Sequence, residues 1–430
     1  MGRQFSSRHT DPFDRLTCTS PTLQGDHLVT AKLPLPILFV HFGDQWIRGS
    51  ETLLLDLLRH LDPAVIFPIV WCNGVELAEA CRAAGYATHR SDFSFFFDDG
   101  SPRFNPKMYA GLVREGIALA RRYTIRVLHA NSAAPAQWLV PVARRLRLPV
   151  LAHLHIDYRR RSRFAMLLHQ ADSIVGVSRQ VIDDFAVDGV APGQARVIYN
   201  GIDFTRLTAP TATDLRPQLG IGEGVVTIGA VGSLIRRKGH DILIRAVAAL
   251  ADNGAPHLLV ASDGPERAAL QALAVELGVD HRVHFLGYHD PIVDLYRSVD
   301  IIVLASRADA FGLVLAEAGF SSLPVVSTTV GGIPEVVLDG QTGVLVAPDD
   351  VSALAGALAR LIGDGELRRT LGAAGHRRAT EVFSAQRMAE EFQVEYRRLA
   401  ALPSGELGWR SVMRRLRPYV RLVRRAKAPA

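Results

Sequence analysis

Apolar residues in the first half of the chain form short, nearly continuous runs that alternate with longer segments of helical periodicity. Continuous runs are typical of strands buried in a parallel sheet, whereas apolar residues at every third or fourth position indicate amphipathic helices. The predicted strands are residues 37–42, 66–72, 126–130, 150–154 and 173–177. The predicted helices are residues 50–61, with Ser50 as N-cap, and residues 106–122 and 135–146, each beginning with proline. This alternation predicts a parallel sheet flanked by helices.

A second alternation follows the turn dipeptide Asn200-Gly201 and a segment rich in Pro and Thr. Its predicted strands are residues 225–231, 257–261, 282–285, 301–304 and 324–327, and its predicted helices are residues 240–252, 266–277, 291–299 and 312–321. The predicted fold class is α/β, with two Rossmann-like domains facing each other across a cleft. The predicted organisation is a disordered leader at 1–33, an N-terminal domain at 34–204, a linker at 205–219, a C-terminal domain at 220–383, an amphipathic helix at 384–402 and a basic amphipathic tail at 403–430.

Three loops in the second half follow predicted strands and carry candidate chemistry. Residues 232–239 combine glycines with the cations Arg236, Arg237 and Lys238, which suit a diphosphate; a solvated basic loop is the alternative. In residues 309–318, Asp309 and Glu317 are candidates for binding sugar hydroxyls, and an N-cap or a salt bridge is the alternative. Residues 329–335 contain paired glycines that let the backbone approach a ligand, or simply form a turn. Because the carboxyl ends of parallel strands share one edge, the three loops together predict a nucleotide-diphosphate site.

These segments resemble glycosyltransferase family 4, a family of retaining enzymes with the GT-B fold. The family motif V-G-R-L-x-x-x-K-G is similar to residues 231–239, E-x7-E to residues 309–317, G-G-x-P-E-x-V to residues 331–337, and D-G-x-x-G-x-L-V to residues 339–346. In the first half, Gly49-Ser50-Glu51 resembles the family's Gly-Gly-(Ala/Ser)-Glu loop, and residues 150–155 resemble the strand that ends in its active-site histidine. The resemblance covers about residues 36–402 and implies that the helix at 384–402 crosses back to the N-terminal domain.

The resemblance implies roles for individual residues. Lys238 would contact the donor diphosphate, Glu317 the ribose and Asp309 the transferred sugar, while His155 would lie near the reacting centre. Further donor contacts are implied for Gly49, Ser233, Arg236, Arg237, Gly264, Phe311, Gly312, Gly331 and Gly332. Two positions depart from the family pattern: Ser233 replaces an arginine, and Asp309 replaces the usual Glu and so reaches less far. No metal or other cofactor is implied, and cations at the leaving phosphate would supply most of the catalysis.

Histidines mark the ends of two predicted strands in the first half. We interpret His153 and His155 as pointing to opposite faces of their strand, with His155 at the cleft end. A metal site at this His-x-His pattern would need more ligands than Asp157 provides, so we expect none. His129 is a candidate for the acceptor side, with core packing as the alternative, and the basic loop with Arg159, Arg160 and Arg161 would meet an anionic acceptor or be solvated.

Charge is concentrated at the end of the chain. The protein has 49 Lys+Arg and 43 Asp+Glu, a net charge of +6, and residues 410–427 supply eight of the basic residues and no acid. The remainder therefore has a net charge near −2, which argues against nucleic acid as a partner. Apolar residues interleave with these arginines at helical spacing, which favours an anionic membrane surface as the partner of residues 409–430; a disordered tail is the alternative.

The three cysteines, Cys18, Cys72 and Cys81, are too few for a disulfide framework, and the leader lacks the apolar segment of a signal peptide. We therefore expect a cytoplasmic protein, peripheral on the inner face of the plasma membrane. The leading hypothesis is a retaining glycosyltransferase that uses a UDP- or GDP-linked sugar and a cell-envelope glycan or glycolipid acceptor. A non-catalytic protein that binds nucleotide sugars within an envelope assembly is the alternative, and a sugar epimerase is less consistent with the motifs.

Overall fold

A computed structural model describes residues 33–43, 47–93, 105–208, 212–250 and 255–408. The predicted leader, apart from Leu33, and the basic segment 409–430 lie outside the described residues. None of the described helices is both long and apolar enough to cross a lipid bilayer.

The first sheet has seven parallel strands in the order β3-β2-β1-β4-β5-β6-β7. The strands are β1 (Leu35–His41), β2 (Ile66–Cys72), β3 (Ala87–Arg90), β4 (Val127–Asn131), β5 (Val150–Leu154), β6 (Ser173–Gly176) and β7 (Ala195–Val197). All five residues of β4 and of β5 are buried, as their largely apolar sequences predict. Strand β3 was not predicted because it lies at the edge of the sheet, where its residues are only half-buried or exposed.

Helices follow most strands of the first sheet. They are α1 (Gly49–His60), α2 (Val75–Ala83), α3 (Pro106–Arg122), α4 (Ala136–Leu146), α5 (Arg160–Ala165) and α6 (Arg179–Asp188). Pro106 does begin α3, but Pro135 lies just before α4. The predicted N-cap of α1 was wrong: the helix begins at Gly49, and the Glu51 carboxylate accepts a hydrogen bond from the Arg48 amide at 3.1 Å.

The second sheet has six parallel strands in the order β10-β9-β8-β11-β12-β13. The strands are β8 (Thr227–Val231), β9 (His257–Ala261), β10 (Val283–Gly287), β11 (Ile301–Leu304), β12 (Val325–Thr328) and β13 (Gly343–Val346). The helices of this half are α7 (His240–Ala248), α8 (Arg267–Glu276), α9 (Val293–Arg297), α10 (Leu313–Phe320), α11 (Ile333–Val336), α12 (Val351–Gly363) and α13 (Gly365–Val382). The segment predicted as a linker contains short 3-10 helices at Phe204–Leu207 and Pro217–Leu219.

Helix α14 (Ala385–Ala400) returns the chain to the first half. Ser384 caps it by accepting a hydrogen bond from the Arg387 amide at 3.4 Å. Its buried side chains Phe392 and Tyr396 pack in one cluster with Phe39 of β1, so the last long helix completes the core of the first half. Helix α15 (Ser404–Leu407) follows, and its Leu407 is buried. The predicted tail from residue 403 therefore begins too early.

Candidate functional site

The three predicted loops of the second half meet at the carboxyl ends of β8, β11 and β12. At Gly239, which has a φ of +69°, an added Cβ would lie 1.9 Å from the Ala305 carbonyl oxygen. At Gly331, with a φ of +63°, an added Cβ would lie 1.7 Å from the Asp309 carbonyl oxygen. Only glycine allows such approach at these dihedral angles. The backbone thus brings the basic loop, the Asp309 segment and the paired glycines together.

Lys238 and Asp309 form an ion pair at this junction. Lys238 Nζ donates to Asp309 Oδ2 at 2.6 Å, and an Arg237 nitrogen lies 4.0 Å from the same oxygen. The other carboxylate oxygen accepts from the Phe311 and Gly312 amides at 3.3 and 3.0 Å. Burial raises the pKa of Asp309, but the charge and hydrogen bond of Lys238, the Phe311 amide and the charge of Arg237 together outweigh burial, and the pKa is lowered. Asp309 is therefore ionised at neutral pH, and it anchors both the lysine and the turn before α10.

The exposed residues of the basic loop are held by an arginine that the sequence analysis missed. The side chains of Arg236 and Arg237 are solvent-exposed, as is Ser233. Arg307, just after β11, donates to the Arg236 carbonyl oxygen at 2.6 Å and pairs with Asp241 at 2.8 Å. Hydrogen bonding to Asp241 raises the pKa of Arg307, so its charge is fixed. Arg307 lies directly after the end of a strand. The other loops were selected by the same signal, so it would also have identified Arg307.

Glu317 has two partners within the chain. Its Oε1 accepts from Arg206 Nη2 at 2.5 Å, and its Oε2 accepts from the Tyr296 hydroxyl at 2.6 Å. The residue is only 8% exposed. The salt-bridge alternative considered for Glu317 is thus present, and its ribose contact stays a prediction. A ribose would share this carboxylate with Arg206, a residue of the predicted linker that the sequence did not single out.

A cluster of histidines surrounds Asn131 at the carboxyl ends of β1, β4 and β5. Asn131 Oδ1 accepts from His153 Nδ1 at 3.2 Å and from His155 Nε2 at 3.1 Å. The two rings lie on the same side of the strand, with centroids 4.3 Å apart. The prediction of opposite faces was wrong, because residues two apart on a strand share a face. On the far side of Asn131, His41 lies 2.9 Å from its amide nitrogen and 2.8 Å from a Glu51 oxygen.

Burial keeps the imidazoles of His153 and His155 neutral. It lowers the pKa of His155 to about 3, and it lowers the pKa of His153 well below its ordinary value. Burial also raises the pKa of Glu51, but the hydrogen bond and charge of His41 outweigh it and bring the pKa to about 2. Among the described residues, His155 Nδ1 has no hydrogen-bond partner, which leaves one lone pair for a ligand.

Two candidates for the acceptor side lie elsewhere. His129 is fully buried, its Nδ1 is 2.7 Å from the Tyr396 hydroxyl, and it packs on Phe392, so it belongs to the core rather than to a ligand surface. Arg160 pairs with the buried Asp188 at 2.9 Å, whereas Arg159 and Arg161 are exposed. Arg159 and Arg161 thus retain the predicted surface position.

The remaining donor candidates differ in exposure. Phe311 is 3% exposed and packs edge-on against Phe383, so its ring offers little surface to a ligand. Gly264 lies against the Leu234 backbone, with 2.6 Å between an added Cβ and the Leu234 carbonyl oxygen. Gly49 of the first half faces the second half, since an added Cβ would lie 3.5 Å from Leu313 Cδ1. The structure therefore brings the start of α1 next to the start of α10.

Two family models match the chain, one in each half. The model for Glycosyltransferase Family 4 matches residues 47–206, and the model for Glycosyl transferases group 1 matches residues 225–364. The chain therefore belongs to the family 4 glycosyltransferases. Its two parallel-sheet, Rossmann-like halves have the GT-B architecture, as predicted.

Two relatives show where the sequence similarity lies. N-acetyl-alpha-D-glucosaminyl L-malate synthase of Bacillus anthracis is 27% identical over 290 residues, which cover 65% of this chain and 76% of that enzyme. D-inositol 3-phosphate glycosyltransferase of Corynebacterium jeikeium is 38% identical over 228 residues, which cover 50% of this chain and 54% of that enzyme. The match thus spans about half the length of the second relative.

Solved structures agree on the fold. Anabaena HepE in complex with UDP superposes with a TM-score of 0.73 at 22% identity, over 85% of this chain and all of that one. A glycosyltransferase from Rickettsia africae has a TM-score of 0.72 at 18% identity, over 86% of this chain. At these identities the likeness establishes the architecture alone.

Proposed function

We propose that the protein transfers a hexose from a UDP- or GDP-linked sugar to a hydroxyl group of a cell-envelope glycan or glycolipid, with retention of anomeric configuration. The observation that carries this proposal is the Lys238–Asp309 ion pair at the convergence of three glycine-bearing loops. A lysine that is already held at this junction can stabilise a departing diphosphate. UDP in the Anabaena HepE complex supports a nucleotide donor.

The residues divide the work between the two halves. Lys238, Arg236 and Arg237 neutralise the charge that develops on the leaving phosphate, and Asp309 faces the transferred sugar. Neutral His155 cannot supply charge, so its free Nδ1 accepts a hydrogen bond from a substrate hydroxyl. Glu51 is 3% exposed and bound to His41, which makes it a poor base. We therefore assign deprotonation of the acceptor to the leaving phosphate, on the same face of the sugar.

We propose that no divalent cation is needed. The three cations of the basic loop, Arg236, Arg237 and Lys238, would supply the positive charge that a metal otherwise supplies to offset the diphosphate. Activity should therefore survive EDTA, and restoration of lost activity by Mg²⁺ or Mn²⁺ would contradict this assignment.

The acceptor has a second candidate class. The two relatives named above are called an N-acetyl-alpha-D-glucosaminyl L-malate synthase and a D-inositol 3-phosphate glycosyltransferase. A small hydroxylated anion is therefore also consistent with the exposed Arg159 and Arg161. A donor screen with UDP- and GDP-sugars, followed by mass spectrometry of products formed with membrane extract or with malate and inositol phosphate, separates the two classes. If no nucleotide sugar raises the melting temperature or reacts, the proposed function fails. Binding without transfer would favour the alternative of a non-catalytic nucleotide-sugar-binding protein.

The membrane partner is proposed on the sequence of residues 409–430 alone. Deleting these residues should release the protein from vesicles that contain anionic lipid while leaving transfer to a soluble acceptor unchanged. The deletion starts after Gly408 because Leu407 is buried and its carbonyl oxygen accepts from Arg144. Vesicle binding that persists after the deletion would contradict the proposal, and sedimentation with vesicles measures it.

A further inference from the structure

One residue of the paired-glycine loop reaches across to the other half of the molecule. Both carboxylate oxygens of Glu335 accept from the backbone amide of Arg179, at 2.9 and 3.0 Å. Arg179 is the first residue of α6, and the residue before it, Ser178, makes no capping hydrogen bond with its side chain. Glu335 therefore takes the place of the cap, where a negative charge at the positive end of a helix is favourable.

Other contacts hold Glu335 in this position. The Tyr199 hydroxyl donates to Glu335 Oε2 at 3.1 Å, and Arg387 donates to the Tyr199 carbonyl oxygen at 2.8 Å. On the side of the second half, Arg378 donates to the carbonyl oxygens of Glu335 and Val336 at 2.5 and 2.9 Å. The Glu335 carboxylate thus binds groups of the first half, while Arg378 of the second half binds its backbone carbonyl oxygen.

The glycines beside Glu335 pack directly on the start of α6. An added Cβ at Gly332 would lie 2.7 Å from Ser178 Cβ and 2.1 Å from the Ala310 carbonyl oxygen. An added Cβ at Gly331 would lie 2.9 Å from Gln180 Oε1. The loop is therefore enclosed between α6 of the first half and the Asp309 segment of the second, so α6 cannot move away without freeing one side of the loop.

We propose that Glu335 is a positioning residue that couples closure of the two halves to the geometry of the donor loop. When its carboxylate caps α6, residues 329–332 are held against Asp309 in the arrangement described above. When the cap is lost, the halves separate more readily and the loop loses one of its two supports. The inference rests on the proposed function in taking this loop to contact the donor.

The Arg179 amide offers a test from the opposite half. Arg179→Pro removes the N–H that Glu335 binds, and proline is well tolerated at the first position of a helix. Arg179→Ala is the matched control, because it removes the same side chain but keeps the amide. Glu335→Gln weakens the cap from the other side by removing its charge.

Calorimetry with UDP and GDP, steady-state kinetics and hydrogen exchange of residues 329–333 are measured on the full chain. Arg179→Pro and Glu335→Gln should each raise the nucleotide dissociation constant and the donor KM about tenfold, as expected for a lost charge-assisted hydrogen bond, with a smaller change in kcat. Both should speed exchange in the loop without any nucleotide, whereas Arg179→Ala should do neither. Equal behaviour of Arg179→Pro and Arg179→Ala would overturn the inference. If the wild-type chain binds no nucleotide, the proposed function fails, and loop exchange in the two Arg179 variants still decides the coupling.

Discussion

The carboxyl ends of the two sheets carry different chemistry on the same architecture. In the first half, Asn131 hydrogen-bonds two imidazoles that burial keeps neutral. At the edge of the second sheet, Lys238 pairs with Asp309, and Glu317 pairs with Arg206 of the predicted linker. The edge of the first sheet is therefore polar, and these two rings carry no positive charge. The edge of the second sheet contains ion pairs.

This difference shows how each edge responds to a ligand. An ion pair already holds its cation desolvated, so a phosphate that reaches Lys238 exchanges one anionic partner for another. The neutral cluster offers hydrogen bonds to hydroxyl groups without attracting anions. Under the proposed function, the two edges suit the two substrates, the charged donor and the hydroxyl-bearing acceptor.

Removing the lysine of the second edge should have the largest effect. Lys238→Ala leaves the Asp309 carboxylate buried without its cation and removes the charge at the leaving phosphate. We expect the transfer rate to fall about 100- to 1,000-fold. Initial-rate kinetics measure this loss, and Lys107→Ala, which alters an exposed lysine on α3, is the control. If both variants transfer sugar at similar rates, the charge of Lys238 is not what distinguishes the edge of the second sheet from that of the first.

Acid should destabilise the first half through its neutral imidazoles. Burial lowers the pKa of His129 to about 3 and that of His153 well below its ordinary value, whereas both take up protons near pH 6.5 when unfolded. Between these pKa values the unfolded chain binds more protons, so stability is lost as the pH falls below about 6.5. Each imidazole should contribute about 1.4 kcal/mol per pH unit to that loss. Urea unfolding between about pH 5 and 7 measures how the free energy of unfolding changes with pH. His153→Asn should reduce this slope by the amount that one proton contributes. A free energy of unfolding that does not change with pH would show that these rings are not neutral by burial.

The smallest expected effect is on the free energy of unfolding and concerns the hydroxyl groups of two buried tyrosines. The Tyr296 hydroxyl donates to the Glu317 carboxylate at 2.6 Å, whereas the Tyr396 hydroxyl is 2.7 Å from His129 Nδ1. Tyr296→Phe should lower the free energy of unfolding by about 2 kcal/mol and Tyr396→Phe by about 1 kcal/mol, because a hydrogen bond to a charged group is worth more. Each variant is the control for the other in denaturant titrations. Equal losses would mean that the charge of Glu317 adds nothing at this position.

The sheets and the three loops were predictable because their signals are local. Central parallel strands such as β11 are buried throughout and have apolar sequences. A strand end followed by glycine and a charged residue marks a loop at the shared edge. The edge strands β3 and β13 were missed, since half-exposed residues interrupt the apolar pattern. Arg307 was predictable by the same rule, because it follows the end of β11.

The partners of the site residues were not predictable. Arg206 reaches Glu317 across 111 residues of sequence, and Glu335 reaches Arg179 across 156. No spacing rule connects residues that are so far apart, because their contact depends on how the halves are placed. The sequence could not decide between the acceptor side and the core for His129 for the same reason, since its partner Tyr396 lies 267 residues later.

Helix α14 also has a consequence for biosynthesis. His129 and Phe39 form their contacts with Tyr396 only after that residue has left the ribosome, and His129 is made 267 residues earlier. At ordinary rates of translation, the apolar surface around Phe39 that Tyr396 covers stays exposed for roughly 15 to 50 s. The second half has all its strands by then and can fold first. We therefore expect nascent chains, and chains that terminate before Tyr396, to expose this apolar surface.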